Sequence, residues 1–205
     1  PTVPSLEVDG VASGIMHPSQ IASLLGLGGG ASGAQGDALR HAWDLSAILD
    51  AWVDHLRLLD WQAICAPTPS RGRSLRNLTC NTFHPITLLP GAVEHGVFLW
   101  NPDDDAAREA ALADAPAAVA YAAGIAGDFQ GWLLGAEELL AGAGSRPVKT
   151  LRGDLDVTTL LVAQRWHAAF HYRQLKAFLG SRGRELPGSF RIEAFADLEL
   201  PQEVF

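Results

Sequence analysis

The sequence predicts an all-α chain: an antiparallel bundle of four main helices, carrying a small N-terminal appendage of a β-hairpin and a short helix. Three observations predict this. From residue 37 onward, apolar residues recur at the three- and four-residue spacing of a helix face. The helical stretches begin at capping residues and stop at Gly or Pro. Four of them are long and separated by loops, the pattern of antiparallel neighbours in a bundle.

Residues 3–8 alternate like a short strand, Asp9-Gly10 is a turn signal, and residues 11–15 supply the returning strand. Ser19 caps a short helix over 20–25 that ends at Gly26. This unit is too small to bury a core alone. Residues 28–36, GGGASGAQG, are a linker by composition. Asp37 opens a helix reaching about residue 59, with His41, Leu45, Ile48, Trp52, His55 and Leu59 on one face. Residues 61–73 read as a loop. Ser74 caps the next helix, which Pro85 kinks and Pro90 bends or ends. Asp103, Asp104 and Asp105 form an acidic turn suited to a helix N-terminus. An Ala-rich helical region covers about 106–140, interrupted near Pro116, and 142–146 is a loop. Asp156 or Thr158 starts the last strong helix, which runs to Leu179 and stops at Gly180. Residues 181–205 are a tail punctuated by Pro and Gly. The expected domains are 1–27 and 37–205, joined by the linker 28–36. Pro1 is not Met, so the chain is expected to begin inside a longer protein.

The 205 residues suffice for one good core. A formal net charge of −8 argues against a nucleic-acid partner, whose phosphates it would repel. No run of 18 apolar residues occurs and no basic-then-apolar signal segment opens the chain, so no membrane partner is expected. Cys65 and Cys80 lie in apolar stretches. Two cysteines do not staple a chain of this length, which points to a reducing compartment and a cytoplasmic location.

The chemistry lies on the last helix, in Gln164-Arg165-Trp166-His167-Ala168-Ala169-Phe170-His171-Tyr172-Arg173-Gln174-Leu175. Positions four apart on a helix lie about 40° from one another, so His167 and His171 project side by side. Gln164 and Gln174 extend their stripe, and Leu160, Ala163 and Phe170 flank it. Imidazoles and amides where a bundle buries aliphatics are costly unless they are paired or ligate something. Two neutral imidazoles at this spacing can hold a divalent metal; two hydrogen-bonded histidines are the plainer alternative. A third ligand must come from another helix. His84 stands first, mid-segment among Phe83, Ile86 and Leu88, unless it fixes the kink at Pro85 instead. Asn81, one turn earlier, ligates weakly or binds a water. His41 and His55 are fallback ligands, each otherwise a core histidine, while His17 and His95 carry no case. Arg165 and Arg173 lie off the ligand stripe, where acids of neighbouring helices can pair with them. Three nitrogens with an open position make a catalytic arrangement rather than a closed structural one.

The string His167-x-x-x-His171-x-x-Gln174-Leu175 resembles the DinB-like superfamily of four-helix bundles, which includes mycothiol-dependent maleylpyruvate isomerases and bacillithiol transferases. The resemblance covers about residues 37–205 and is most specific on the last helix. It implies that His167 and His171 bind a metal together with a histidine of the second helix. In the family that ligand falls two turns after the capping Ser or Thr. Counted from Ser74 this position is Asn81, with His84 one turn further, so the chain departs from the pattern here. Thr2-Val3-Pro4, then Leu6-Glu7-Val8-Asp9-Gly10, then a helix over 18–27 resemble the closing third of a glutaredoxin-like domain of thioredoxin fold. That resemblance implies a cis peptide at Val3-Pro4.

Together these imply a metal-dependent enzyme of low-molecular-weight thiol chemistry, with mycothiol as one such thiol, acting as a thiol S-transferase or thiol-dependent isomerase. The expected cofactor is a divalent metal ion, zinc or nickel, with the thiol as cosubstrate. The expected partners are that thiol and a small-molecule electrophile, with a homodimer as the candidate assembly. Coordination would lower the thiol's pKa. His84, His167 and His171 would be ligands, and Asn81, Gln164 and Gln174 would orient ligands or substrate. Two alternatives stay open. A metal-dependent hydrolase is weakened because no Glu or Asp adjoins the histidine pair on its helix to act as base. A non-catalytic module binding a metal or small molecule is favoured by Asn81.

Overall fold

The structure is a computed structural model that describes residues 5–8, 11–14, 37–69, 72–184, Asp197, Leu198, Leu200, Pro201 and Val204. It is mainly helical, with a β-hairpin and a small three-stranded sheet. Ser5–Val8 (β1) and Val11–Gly14 (β2) pair antiparallel with Val8 opposite Val11, the hairpin predicted by alternation on either side of Asp9-Gly10. The expected helix over 20–25 and the Val3-Pro4 peptide lie outside the described residues.

The predicted apolar face of α1 (Asp37–Leu56) is inside: His41, Leu45, Ile48, Trp52 and His55 are all buried. A loop was expected next. Instead Asp60 caps α2 (Trp61–Cys65), its carboxylate accepting from Ala63 N at 2.7 Å. A single turn of helix carries too little periodicity to stand out beside prolines. α3 (Leu75–Phe83) starts where predicted, at Ser74, whose Oγ accepts from Asn77 N at 3.0 Å. Pro85 cannot continue the ladder, and the chain tightens into a 3₁₀ turn over His84–Leu88. Pro90 does not bend or end the next helix. It lies in the first turn of α4 (Leu89–His95), where a missing N–H leaves no bond unmade. Gly96 then stops α4 in the left-handed region with φ 73°, and a Cβ there would lie 3.0 Å from Pro147 O.

Asn101 caps a 3₁₀ turn over Pro102–Asp104 that leads into α5 (Asp105–Ala111). The Ala-rich region is interrupted near Pro116 as expected: it breaks at 112–114, and Asp114 caps α6 (Ala115–Gly135) with Pro116 in its first turn. α6 buries Ala118, Ala122 and Ala126 in a line, small side chains that let it close on α1. After α7 (Glu137–Ala143), Asp156 caps α8 (Val157–Gly180), accepting from Thr159 N at 2.6 Å. α1 lies against α6 and α8, and α3 against α5, α6 and α8. Trp52 joins three of these helices. Its ring is edge-on to Phe83 with centroids 6.1 Å apart, 6.5 Å from Tyr172, and its Nε1 donates to Thr79 Oγ1 at 3.3 Å.

The sheet was not predicted. β3 (Val97–Phe98), β4 (Pro147–Thr150) and β5 (Gly153–Asp156) lie in that order, the first pair parallel and the second antiparallel. Such short strands, with Phe98 and Val148 as their only buried side chains, hold no alternation to read. The sheet sets positions. β5 runs straight into α8, and Lys149 N donates to Gly96 O at 2.8 Å, tying the start of α8 to the segment that leads to Trp100. Among the described residues no helix is long and apolar enough to cross a membrane.

Candidate functional site

α8 presents His167 and His171 as neighbours, with ring centroids 4.6 Å apart and planes at 79°. Their Nε2 atoms are 3.1 Å apart. From α3, Asn81 brings its Oδ1 to 3.1 Å from His167 Nε2. The amide directions follow from the outer partners. Asn81 Nδ2 donates to Asp105 Oδ2 at 3.1 Å, which leaves Oδ1 facing His167. Gln174 Nε2 donates to Val204 O at 3.0 Å, which turns Gln174 Oε1 towards His171 Nδ1, 2.7 Å away. An amide oxygen only accepts, so His171 Nδ1 carries a proton, and in the neutral ring its Nε2 directs a lone pair at His167.

His167 is partly buried, and its Nδ1 is a covered atom with no hydrogen-bond partner. Burial first, then the adjacent His171 imidazole, then Arg73 and Arg152 push its pKa well below the usual 6.5. It is therefore a neutral imidazole, the form that can ligate. The Trp100 ring lies 5.2 Å from it by centroids, and the Trp100 Nε1 is likewise buried without a partner. Orphaned buried polar atoms cost about 1–3 kcal/mol each, so two beside one imidazole mark a site not tuned for stability.

His171 Nε2, His167 Nε2 and Asn81 Oδ1 thus form a row of donor atoms at 3.1 Å steps. Two nitrogens bound to one tetrahedral ion at about 2.0–2.1 Å lie roughly 3.3 Å apart, so the imidazole spacing fits a shared divalent cation. The expected third imidazole is not in the row. His84 is buried with its Nδ1 2.6 Å from Asp105 Oδ1, and it is linked to the pair through Asp105 and Asn81. Among the described residues no three His, Cys, Asp or Glu side chains come together to hold a metal. The donor set that does come together is two imidazoles and an amide oxygen.

The other sequence candidates fall elsewhere. Gln164 is buried with its Oε1 unpartnered, and it bonds to neither histidine. His41 Nδ1 faces Arg165 at 2.6 Å, and His55 Nδ1 donates to Ala51 O at 2.6 Å. Burial lowers the His55 pKa. Both belong to structural contacts. Arg165 does pair with acids, Asp44 and Asp197, and Arg173 donates to Pro201 O at 2.6 Å.

A cleft of about 590 Å³ opens beside the site, with Asn81 and Asp105 among its lining residues. Its wall is polar: Glu109 accepts from Asn77 Nδ2 at 2.7 Å, Arg76 Nε at 3.2 Å and Ser74 Oγ at 3.3 Å. Arg73 and the exposed Cys65 also line it. Two contributors escaped the sequence reading. Asp105 was visible only as an N-terminal helix acid, and Trp100 carried no signal, because the contacts that give them meaning are made across helices. Comparison with family models, curated proteins and solved structures finds nothing that matches this chain.

Proposed function

We propose that this chain is a metal-dependent enzyme of low-molecular-weight thiol chemistry, a thiol S-transferase or thiol-dependent isomerase, built on a DinB-like four-helix bundle of α1, α3, α6 and α8. The observation that carries the reading is the row formed by His171 Nε2, His167 Nε2 and Asn81 Oδ1 beside an open polar cleft. In this reading those three side chains hold zinc or nickel. Coordination to such an ion lowers the pKa of a thiol, which makes the thiolate available near neutrality. The chain's own part is to position. Gln174 fixes the His171 tautomer, Asp105 fixes the direction of the Asn81 amide, and the hydrogen-bonding wall of the cleft suits a polar thiol carrier. Residues 1–27 are read as the closing part of a glutaredoxin-like domain, which would join two thiol-handling modules in one polypeptide.

A second reading is a binding module without chemistry. Asn81 favours it, because an amide oxygen is a weaker ligand for zinc than an imidazole. Loading the purified protein with cobalt and adding 2-mercaptoethanol tests the two. The enzyme reading predicts a thiolate-to-metal absorbance, lost together with the bound metal in His171→Ala while the helical content is kept. A variant that has lost its metal yet conjugates thiol to an electrophile at the original rate would contradict it.

A further inference from the structure

We infer that Asp197, Leu198, Leu200, Pro201 and Val204 form a working part of the site, a strap in which the Val204 carbonyl sets the tautomer of His171. Asp197, Leu198, Leu200, Pro201 and Val204 each contact α8 or its neighbours. Asp197 pairs with the fully buried Arg165 and with Arg40. Leu198 and Leu200 pack on the apolar core. Pro201 O accepts from Arg173 Nη1 at 2.6 Å, and Val204 O accepts from Gln174 Nε2 at 3.0 Å. The last contact is the one with chemical consequence.

The relay follows from donor and acceptor roles alone. A backbone carbonyl only accepts, so the atom of Gln174 facing Val204 must be its NH₂. Its oxygen is then committed to His171 Nδ1 at 2.7 Å, which must carry the proton. The Nε2 lone pair of His171 is left facing His167 Nε2 at 3.1 Å. With Val204 O removed, the Gln174 NH₂ loses the acceptor that fixes its direction, and a reversed amide would offer N–H to His171 Nδ1. The proton would then move to Nε2, and the lone pair needed at the site would be turned away from it. Docking of the strap and the donor capacity of His171 are therefore one equilibrium. The consequence for metal binding rests on the function proposed above; the relay itself does not.

Gln174 is a positioning residue in this account, so the test reads the tautomer directly. Long-range proton–nitrogen NMR of metal-free protein distinguishes protonated Nδ1 from protonated Nε2 in each imidazole. The intact chain should show His171 protonated at Nδ1. A chain ending at Glu203 should show Nε2 protonation or a mixture, and its zinc affinity should fall about tenfold or more. Leu200→Asp, which unseats the strap without shortening the chain, should do the same if the truncated chain does not fold. Gln174→Glu keeps an acceptor for His171 and should retain the Nδ1 proton. An unchanged His171 tautomer in both strap variants would overturn the inference. Failure of zinc to bind the intact chain would overturn the proposed function instead, leaving the tautomer comparison to decide the strap.

Discussion

α8 carries two polar clusters on opposite sides, and they are built differently. Arg165 and His167 are two residues apart, which is about 200° around the helix. Arg165 is fully buried, yet its guanidinium meets His41 Nδ1 at 2.6 Å and Asp197 Oδ2 at 3.0 Å, pairs with Asp197 Oδ1, and has Asp44 at 3.4 Å. The hydrogen bond from Arg165 holds the Asp197 carboxyl far below the usual carboxylate range. His167 lies among groups with bonding capacity left over: its own Nδ1, Trp100 Nε1 and, a turn earlier, Gln164 Oε1. A cluster that closes its own bonds is explained by the fold. One that keeps covered polar atoms unpartnered lowers stability and calls for another explanation.

The contrast predicts opposite responses to truncation. Arg165→Ala should lower stability by about 3 kcal/mol in urea unfolding, because it vacates a fully buried side chain and breaks its bonds to His41 and Asp197. His167→Ala should change the metal-free protein by less than about 1 kcal/mol, or stabilise it, because an uncompensated polar group leaves and a good helix former enters. Equal losses in the two variants would erase the distinction. Asn81→His sharpens it further. A third imidazole in the row should raise zinc affinity about tenfold, measured by competition with a chromophoric chelator. No change would mean that position 81 does not face the ion.

The clusters should also separate on the pH axis. The fold keeps His167 neutral below its ordinary 6.5, whereas the unfolded chain takes up the proton. Its contribution is therefore whole above pH 6.5 and is lost as pH falls below that value. Asp197 is depressed from 3.8, so its contribution is whole above about pH 3.8 and is lost only below it. Metal-free wild type should lose urea resistance between pH 6.5 and about 5, and His167→Ala should lose less over that window. Asp197→Asn should follow the wild-type slope there and flatten only at lower pH. Identical slopes for wild type and His167→Ala would show that the imidazole titrates normally.

α1 and α8 were legible because long helices repeat their signal. The stripe from His41 to His55 and the caps Ser74 and Asp156 follow from local spacing and side-chain chemistry. The histidine pair was legible for the same reason, being one turn apart. α2 and the three-stranded sheet were not, since a helical turn and strands of two to four residues are decided by what they pack against. Pro90 reads as a breaker because proline cannot donate in mid-helix, but it sits in a first turn, where no donor is needed, whereas the interruption expected near Pro116 is present at 112–114. The partners of the site were hidden by distance along the chain. Asn81 meets His167 across 86 positions, and Gln174 meets Val204 across 30. No spacing rule reaches that far. The mid-segment position of His84 among Phe83, Ile86 and Leu88 points to it as the third ligand, but the course of the chain brings Asn81 to the pair while His84 meets Asp105.

The ligand set is the central claim, and zinc K-edge X-ray absorption of the loaded protein tests it most directly. The account predicts scattering from two imidazoles and further light N or O neighbours at about 2.0–2.1 Å, and loss of this protein-bound zinc signal in His171→Ala. Sulfur at about 2.3 Å, or a spectrum that His171→Ala leaves unchanged, would contradict it.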